Sequence, residues 1–514
     1  MKLKRNKSKI LTFVSLFTIL IISASSLSTL NSCIRIQAIE NSAISSSQII
    51  LGWENNGEIM CNISGTQDSP QICSDGTGGA IITWRDTRGI TQDIYAQRVD
   101  SEGNIQWGNG SLGDKNGTII CNANDHQSSP QICSDGAGGA IIVWQDLRGA
   151  TDDIYAQRVN STGNVNWTSN GVLICNPTFL SFDNDPQICS DGEGGAIITW
   201  QNSSIFAQRV NSSGHLQWTN EVSICSASNM QDSPQICSDG AGGAIITWED
   251  DRVVGTDIYA QRVNSTGDIE WTIDGVVLCN ESLNQNVPQI CSDGVGGAII
   301  TWEDQRTGTD DIYSQRISSS GVVNWTVNGT AISTESSNAQ RYPQICGDGM
   351  EGAIITWVDY RTDGFGDIYA QRVSFNGITQ WINNGTVICN ALWIQNRPKI
   401  CIDGAGGAVI TWYDDRIGQD IYAQWINSSG NVTGTPNGMV ICNATSSQDF
   451  PEISSDGAGG AIITWQDDRG VDEDIYAQKI STPEETPEEE EPGLNPILLL
   501  GMAIQPSNPL ALFS

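Results

Sequence analysis

Histidine is nearly absent from this chain of 514 residues, which contains only His126 and His215. Histidine is a frequent general base near neutral pH and a frequent zinc ligand, so its scarcity excludes a histidine-rich metal centre. The chain also lacks a P-loop, a zinc-ligand spacing and a G-x-S-x-G motif in a helical context. The residues therefore indicate no catalytic constellation, and we predict a protein that is not an enzyme and has no cofactor.

Basic residues are few: 25 Lys and Arg stand against 59 Asp and Glu, and the formal net charge is −34. Nucleic-acid binding needs a basic patch that neutralises phosphates, so this balance excludes nucleic acid as a partner. Most of the acids recur at fixed positions of a repeat, where they favour solubility and mutual repulsion.

No apolar run reaches the roughly 20 residues that a membrane-spanning helix needs. The run at residues 10–22 follows five basic residues and is typical of an export signal, so residues 1–38 are a predicted signal peptide. Lipidation of Cys33 and a retained N-terminal anchor are alternatives. Residues 481–493 form a predicted acidic Pro/Glu stalk, and residues 494–514 a short apolar tail, either a degenerate anchor or a solvent-exposed end. We expect an extracellular or cell-surface location.

What the chain has in quantity is an internal repeat. The stretch PQICSDGAGGAIITWEDDRVVGTDIYAQRVN at residues 234–264 has eight near copies, 48 to 60 residues apart. A period of about 50 residues is typical of solenoids, propellers or arrays, whose units share a core with their neighbours. The aspartates that mark the copies are Asp75, Asp135, Asp191, Asp239, Asp293, Asp348, Asp403 and Asp456.

Each unit predicts four short antiparallel strands. In the fourth unit these are residues 234–237, 243–248 and 257–263, with a fourth strand at 268–271 after an Asn-Ser-Thr-Gly turn. No window shows sustained helical periodicity. Four-stranded units in an array describe β-propeller blades, so residues 45–480 predict an all-β, eight-bladed β-propeller.

The two ends of the repeat region are complementary. Residues 49–62 match the last part of a unit, and the eighth copy stops at Ile480 before that part. We therefore expect an N-terminal strand to join the C-terminal blade, which closes the ring and removes two exposed sheet edges. An open solenoid would instead need polar caps.

The pattern P-x-x-x-S-D-G, apolar strand, D-x-R and D-I-Y resembles the repeat of TolB-type propellers over residues 70–480. It is also similar to exported repeat proteins with GGAIITW-like and DIYAQRV-like motifs. The chain departs from the TolB-type pattern by lacking Pro in the turn and by adding Gly242-Gly243 and a recurring Trp. The resemblance implies a propeller that binds partners, and no specific activity. The recurring tryptophans are Trp84, Trp144, Trp200, Trp248, Trp302, Trp357, Trp412 and Trp465.

Fourteen of the fifteen cysteines occupy two repeat positions. In an exported protein they predict disulfides, either pairing Cys61 with Cys73 and its equivalents or Cys73 with Cys121 and its equivalents. The alternative is that they are small buried apolar residues. The disulfide candidates are Cys61, Cys73, Cys121, Cys133, Cys175, Cys189, Cys225, Cys237, Cys279, Cys291, Cys389 and Cys401, and Cys346 and Cys442 occupy the same positions without a partner in one scheme.

An Asp-x-Arg pair recurs in seven units, and another Asp precedes the Ile-Tyr strand. We interpret the Arg as a bridge between both loop carboxylates that fixes the hairpin. Per-blade Ca²⁺ binding is the alternative, because the cation takes six to eight oxygens. The pairs are Asp86/Arg88, Asp146/Arg148, Asp250/Arg252, Asp304/Arg306, Asp359/Arg361, Asp414/Arg416 and Asp467/Arg469. The second aspartates are Asp93, Asp153, Asp257, Asp311, Asp367, Asp420 and Asp474.

Asn-x-Ser/Thr sequons recur in the turns. In an exported protein they are glycosylation candidates, and as turn residues they also have a local structural role. These candidates are Asn62, Asn160, Asn211, Asn264, Asn324, Asn384 and Asn427.

Two units depart from the repeat. The third lacks the Asp-x-Arg loop and has Phe206 in place of Tyr, and the sixth has a long loop at residues 360–366 with Phe365. Together with the axial face, these are the predicted contact regions. We expect a monomeric binding or structural scaffold for an extracellular protein or glycan, in contact with a membrane only through a terminal anchor. A carbohydrate hydrolase or lyase with acids at the axial face is the alternative.

Overall fold

The computed structural model describes residues 50–108, 116–149, 151–175, 185–335, 338–362 and 364–481. They belong to one of two compact units, Met1–Thr482. The predicted signal peptide, Cys33, the stalk beyond Ser481 and the apolar tail lie outside the described residues. All regular secondary structure in the described residues is β-strand, and the 34 strands form eight antiparallel sheets.

Each sheet is one blade. Two N-terminal strands, β1 (Ile50–Leu51) and β2 (Glu58–Cys61), precede the first blade. Blade 1 comprises β3 (Gln67–Ser74), β4 (Ala80–Asp86), β5 (Asp93–Val99) and β6 (Thr118–Cys121). Blade 2 comprises β7 (Gln127–Ser134), β8 (Ala140–Asp146), β9 (Asp153–Val159) and β10 (Val172–Cys175). Blade 3 comprises β11 (Gln187–Ser190), β12 (Ala196–Gln201), β13 (Ile205–Val210) and β14 (Val222–Cys225). Blade 4 comprises β15 (Gln231–Ser238), β16 (Ala244–Asp250), β17 (Asp257–Val263) and β18 (Val276–Cys279).

The second half repeats the plan. Blade 5 comprises β19 (Gln285–Ser292), β20 (Ala298–Asp304), β21 (Asp311–Ile317) and β22 (Thr330–Ser333). Blade 6 comprises β23 (Gln340–Gly347), β24 (Ala353–Asp359), β25 (Asp367–Val373) and β26 (Thr386–Cys389). Blade 7 comprises β27 (Gln395–Ile402), β28 (Ala408–Asp414), β29 (Asp420–Ile426), β30 (Val432–Thr433) and β31 (Met439–Cys442). Blade 8 comprises β32 (Gln448–Ser455), β33 (Ala461–Asp467) and β34 (Asp474–Ser481), to which β1 and β2 are added.

The first strand of every blade lies innermost. β3, β7, β11, β15, β19, β23, β27 and β32 each contact the next in a closed circle, and β32 contacts β3. The predicted eight-bladed β-propeller is therefore confirmed. The strands that contain the proline of each repeat, or in blade 3 directly follow it, therefore surround the central channel.

Neighbouring blades share their apolar cores. One cluster joins Ile258 and Leu278 of blade 4 to Trp302 and Tyr313 of blade 5. The indole of Trp302 is fully buried, and burial of a tryptophan side chain contributes roughly 4–6 kcal/mol at about 25 cal/mol per Å². The recurring Trp thus packs one blade on the next, as a unit too small for its own core requires.

The outer strand differs from the prediction. Residues 268–271 form only an isolated bridge, Val263 to Ile269, and the fourth strand of the blade is β18, five residues later. The reason is Trp271, whose side chain leaves the sheet: its Nε1 donates to the carbonyl of Ser319 in blade 5, at 3.1 Å. Residues 268–271 therefore form a contact between blades 4 and 5.

The ring closes through the N-terminal strands, as predicted. β2 pairs with β34, with Glu58 opposite Ala477 and Cys61 opposite Ile475. Arg469 Nη2 also donates to the carbonyl of Asn56, at 2.8 Å. The outer edge of the eighth blade is therefore covered by the beginning of the described chain.

Removal of residues 1–61 should expose the β34 edge and the ring of Trp465, which packs against Gly57. We expect unfolding or oligomerisation, because an unpaired strand edge invites association. Light scattering with a thermal melt measures this, and a chain lacking only residues 1–45 is the control. A monomer with an unchanged melting temperature after the longer deletion would reject closure.

Candidate functional site

The Asp-x-Arg hairpins and the starts of the innermost strands lie on one face of the ring. In blade 4, Gln231 at the start of β15 pairs with Asp250 at the end of β16, which pairs with Asp257 at the start of β17. We call this side the Asp–Arg face. The S-D-G turns lie at the opposite ends of the strands.

Arg252 shows what the Asp-x-Arg pair does. Its Nε and Nη2 donate to Oδ1 and Oδ2 of Asp250 at 2.7 and 2.6 Å, and its guanidinium carbon lies 3.8 Å from the ring centroid of Tyr259. Nη2 also reaches Cys225 Sγ of blade 3 at 3.3 Å. The indole of Trp248 donates to Asp250 Oδ2 at 2.8 Å. The Arg therefore fixes its own hairpin and contacts the preceding blade.

The same ion pair forms in all seven units that have the motif. One detail of the prediction is wrong: Arg252 pairs with Asp250 and forms no ion pair with the second aspartate, Asp257, among the described residues. The guanidinium is occupied by the first carboxylate and the Tyr259 ring. The pairs are Asp86/Arg88, Asp146/Arg148, Asp250/Arg252, Asp304/Arg306, Asp359/Arg361, Asp414/Arg416 and Asp467/Arg469.

The second aspartates have perturbed acidity. Burial, followed by repulsion from Asp250, raises the pKa of Asp257 to about 6. The pKa values of Asp311, Asp420 and Asp474 are also raised to about 6, first by burial and then with the partner aspartate's charge contributing. These carboxyl groups hold a proton in the fold at a pH where the unfolded chain has lost it.

The structure contains neither predicted disulfide pairing. All fourteen described cysteines are free thiols. Cys61 lies beside Asp86 at the end of β4, whereas Cys73 lies opposite Ile81, five residues away along the same strand, roughly 17 Å. Cys73 and Cys121 lie on the first and fourth strands of one blade, with two strands between them. The affected candidates are Cys61, Cys73, Cys121, Cys133, Cys175, Cys189, Cys225, Cys237, Cys279, Cys291, Cys389 and Cys401.

The two sets of cysteines have separate roles. Six of the seven outer cysteines contact the Arg of the next blade, and burial raises the pKa of Cys61 and Cys121 to about 12, so these thiols stay protonated. The inner set packs against shared cores, as Cys237 does between blades 4 and 5. In blade 6, Arg361 donates to Ser333 Oγ instead, at 3.0 Å.

Four of the seven sequon asparagines accept hydrogen bonds from the backbone of their own turn. Asn264 Oδ1 accepts the backbone N–H groups of Thr266 and Asp268, both at 3.0 Å. Asn160, Asn211 and Asn427 accept equivalent pairs. Their local structural role is thus visible, and glycosylation stays a prediction.

The third blade replaces its missing pair. Glu221 stands where other blades have a turn glycine, and its Oε2 accepts from Cys175 Sγ at 3.2 Å. Trp200 stacks on Phe206, with ring centroids 6.3 Å apart. A carboxylate therefore still contacts the cysteine of the preceding blade, supplied by the residue before β14.

The Asp–Arg face holds a feature that the sequence prediction missed. The residue before the proline has a φ between 31° and 56° in all eight blades, although none of these residues is glycine. In seven blades the pairing register shifts at this point, which is a β-bulge. Such a conformation costs roughly 1–3 kcal/mol per residue, and bulges re-aim side chains. We call these eight residues the bulge ring.

The bulge ring is not uniform around the channel. Blades 1 to 4 present small or short polar side chains, whereas blades 5 to 8 present larger ones. In chain order the ring consists of Ser69, Ser129, Asp185, Ser233, Val287, Tyr342, Arg397 and Phe450. A variable residue at a strained position within an otherwise near-constant repeat was the signal in the sequence.

A cavity of about 340 Å³ lies where blades 6, 7 and 8 meet at this ring. We call it the mouth pocket. Tyr342 and Phe450 are 44% and 41% exposed, and Arg397 lies with its guanidinium carbon 4.0 Å from the Phe450 ring centroid. The lining residues are Tyr342, Gln344, Asn396, Arg397, Pro398, Lys399, Phe450, Pro451 and Glu452.

Ion pairs join the strands that line the mouth pocket. Arg397 Nε lies 3.2 Å from Asp449 Oδ1, and Lys399 Nζ lies 2.7 Å from Glu452 Oε1. Gln71 Nε2 of blade 1 donates to the same Glu452 oxygen at 3.4 Å. The polar groups of the pocket are therefore held in place before any ligand binds.

The preceding blade supports the Tyr342 bulge. Glu303 Oε1 of blade 5 accepts the backbone N–H of Tyr342 at 2.6 Å, and burial raises the pKa of Glu303 to about 7. Glu249 accepts the N–H of Val287 in the same way, at 2.7 Å. This contact satisfies the backbone group that the bulge removes from the strand ladder.

The long sixth loop presents an aromatic side chain, as predicted. Phe365 is 41% exposed and its ring centroid lies 5.6 Å from that of Trp393, which is 55% exposed. The loop lies in blade 6 and Trp393 precedes β27 of blade 7. These are two of the three blades that build the mouth pocket.

The described residues contain no group of three or more His, Cys, Asp or Glu side chains placed to hold a metal ion. This gives the per-blade Ca²⁺ alternative no support in that part of the chain. Within the same residues, no helix is long and apolar enough to cross a membrane.

Comparisons with known proteins give no family. No family model matches the chain, and no curated protein matches it. The likeness to TolB-type propellers therefore stays a prediction.

Solved structures resemble the chain distantly. An ulvan polysaccharide lyase is 10% identical with a TM-score of 0.42, over 66% of this chain and 89% of that one. A puromycin hydrolase is 12% identical with a TM-score of 0.42, over 82% and 62%. A protein of unknown function from Dyadobacter fermentans is 9% identical with a TM-score of 0.40, over 82% and 97%. None of these bears on the function of this chain.

Replacement of Arg252 by Ala should destabilise the protein by about 3–5 kcal/mol, because Asp250 stays buried without its counter-charge. Urea unfolding at pH 7.5 measures the loss. The double variant Asp250→Asn, Arg252→Gln should lose less, since no lone charge remains. Arg397→Ser, whose ion-pair partner Asp449 is partly exposed, serves as the control. Equal losses for the single and double variants would contradict this role of the pair.

The second aspartates should make the protein more stable in mild acid. They bind protons more tightly in the fold than in the unfolded chain, so their contribution is complete below about pH 4 and is lost as the pH rises to about 6. We expect the melting temperature to rise as the pH falls from 7.5 to 5. A variant with Asp257, Asp311, Asp420 and Asp474 changed to Asn should show a smaller rise.

The matched control neutralises the exposed residues Glu54, Glu102, Asp125 and Asp268 instead, which changes the net charge equally. That variant should keep a steeper rise than the buried-site variant. Melting curves with the same pH dependence in both variants would show that the effect comes from general charge repulsion.

Proposed function

We propose that this protein is a glycan-binding module whose ligand occupies the mouth pocket. The observation that carries the proposal is the asymmetry of the bulge ring. Eight blades hold one residue each in the same strained conformation, yet Tyr342, Arg397 and Phe450 are adjacent large side chains at a single cavity. Backbone strain of this kind clusters at sites of function.

The size of the mouth pocket favours a small cyclic group over a protein surface. Its volume of about 340 Å³ lies within the range of small-molecule sites, roughly 300–1,000 Å³. A specific protein partner would instead need a contact of about 800 Å² per side. One or two sugar rings fit the available volume.

The lining groups match the chemistry of a sugar. The exposed rings of Tyr342 and Phe450 offer faces for the C–H groups of a pyranose ring. The amides of Gln344 and Asn396 can both donate to and accept from hydroxyl groups. Such a mixture of apolar faces and fixed polar groups is typical of sites that set both affinity and orientation.

The carboxylates that line the mouth pocket favour glycan binding over glycan cleavage. Glycoside hydrolysis commonly uses two carboxyl groups flanking the bond. Among the described residues that line the mouth pocket, Glu452 is the only carboxylate, and it is paired with Lys399. A hydrolase or lyase is kept as an outcome of the test below.

The predicted export signal is consistent with a ligand outside the cell. Surface glycans and secreted polysaccharides are encountered there. We therefore include an extracellular or cell-surface location in the proposal.

Replacement of Tyr342 or Phe450 by Ser should weaken glycan binding about tenfold or more, because each change removes a ring face from the pocket. Serine stands at this position in blades 1, 2 and 4, so the bulge accommodates it. A glycan array followed by calorimetry identifies and measures the ligand. Val287→Ser, in the same ring outside the mouth pocket, is the control.

The proposal fails if no glycan binds, or if both serine variants bind as tightly as the unmodified protein. Release of shortened or unsaturated sugars during incubation would instead establish the enzyme alternative.

A further inference from the structure

Among the described residues in ion pairs, the three most exposed positive side chains lie in blades 6 and 7, followed by Arg85 of blade 1 at 30%. The arginines of the Asp-x-Arg and S-D-G ion pairs have side chains only 6–21% exposed. Arg341 and Arg397 are both 46% exposed, and Lys399 is 32% exposed. Exposed positive side chains stand out in this chain, because its net charge is −34.

Blade 7 departs from the repeat at two positions of the mouth pocket, and both changes add a positive charge. Lys399 stands where six other blades have glutamine, namely Gln71, Gln131, Gln187, Gln235, Gln289 and Gln344. Arg397 stands in the bulge ring, where blades 1, 2 and 4 have serine. Neither cation is required by the repeat, since the other blades fold without it.

Arg397 is oriented and still has donors free. Its stacking on Phe450 fixes the plane of the guanidinium, and Asp449 approaches Nε. Neither Nη group donates a hydrogen bond to another described residue. A planar guanidinium held in this way is suited to a carboxylate or sulfate, which it can bind with two parallel hydrogen bonds.

Lys399 adds a second positive group to the same cavity. Its ammonium has three donors, of which Glu452 takes one at 2.7 Å. Each cation is paired with one acid, Arg397 with Asp449 and Lys399 with Glu452, so the local charges balance and the free N–H groups are what the site offers to an anion. The acids at Asp449 and Glu452 hold the cations in position without using all their N–H groups.

We propose that the ligand carries an anionic substituent, a carboxylate or sulfate on a sugar ring, which binds Arg397 and Lys399 beside the faces of Tyr342 and Phe450. This inference rests on the proposed function and names the class of glycan. The shared chemistry is an anionic oxygen group that accepts charge-assisted hydrogen bonds in a partly enclosed site. Its affinity should fall as salt rises, because the cations are partly exposed.

The test compares each acidic glycan with its uncharged counterpart. The probes are oligogalacturonate with its methyl ester, and dextran sulfate with dextran, measured by calorimetry on the full chain. We expect at least one acidic probe to bind ten times more tightly than its counterpart, and the pair that shows the preference distinguishes carboxylate from sulfate. Arg397→Ser and Lys399→Gln, which restore residues used in other blades, should each reduce that preference at least fivefold.

Arg341→Gln is the matched control, because Arg341 is as exposed as Arg397 but does not line the mouth pocket. It should leave the preference within twofold. Equal binding of charged and uncharged probes, or an unchanged preference in Arg397→Ser and Lys399→Gln, would overturn the inference while leaving glycan binding intact. Binding of polyglutamate as tightly as the acidic glycan would overturn the assignment to sugars, and no binding of any glycan would overturn the proposed function itself.

Discussion

The carboxylate of Asp250 is fully buried between the indole N–H of Trp248 and the guanidinium of Arg252, which reaches the cysteine of the preceding blade. This junction recurs in seven of the eight units and connects two blades at a time. A buried charge requires its partner, so the hairpin, the tyrosine ring and the neighbouring outer strand are held in one arrangement. In these seven units the start of the inner strand pairs with the strand that carries this aspartate, so the junction also fixes the position of the bulge-ring residue on that inner strand. The third blade lacks both the Asp and the Arg, so it buries no charge at this junction, and the exposed Glu221 contacts the cysteine of the preceding blade instead.

The sequence was sufficient for most of the architecture. Eight copies of the S-D-G core, with β-branched residues and Trp after a Gly-rich turn, predicted the number of blades and two middle strands whose bounds agree closely. The offset ends predicted the closure by β2. The fourth strand was predicted too early in the sequence. A tryptophan such as Trp271 is typical of a strand, but its side chain here binds the turn of the next blade. The prediction of disulfides was wrong because it rested on the export signal. In the fold the two sets of cysteines lie at opposite ends of the strands, too far apart to be bonded.

The mouth pocket could not be read from the chain in the same way. Its residues come from three consecutive units, in which Tyr342, Arg397 and Phe450 lie 55 and 53 residues apart, and the packing of each blade on the next brings the strands β23, β27 and β32 together. The residue before a proline usually adopts an extended conformation, so nothing local indicates that Tyr342, Arg397 and Phe450 have a positive φ. Variation at one position of a near-constant repeat was present in the sequence. Its significance became clear only from the structure, in which the β-bulge places this position at the mouth of the channel.

A crystal structure of the propeller with the acidic glycan that binds it tests the account most directly. The account predicts a sugar ring against Tyr342 or Phe450, with an anionic oxygen at about 3 Å from the Nη groups of Arg397 and from Nζ of Lys399. A glycan bound at the S-D-G face, at the third blade, or within the mouth pocket with its anionic group directed away from both cations would contradict it.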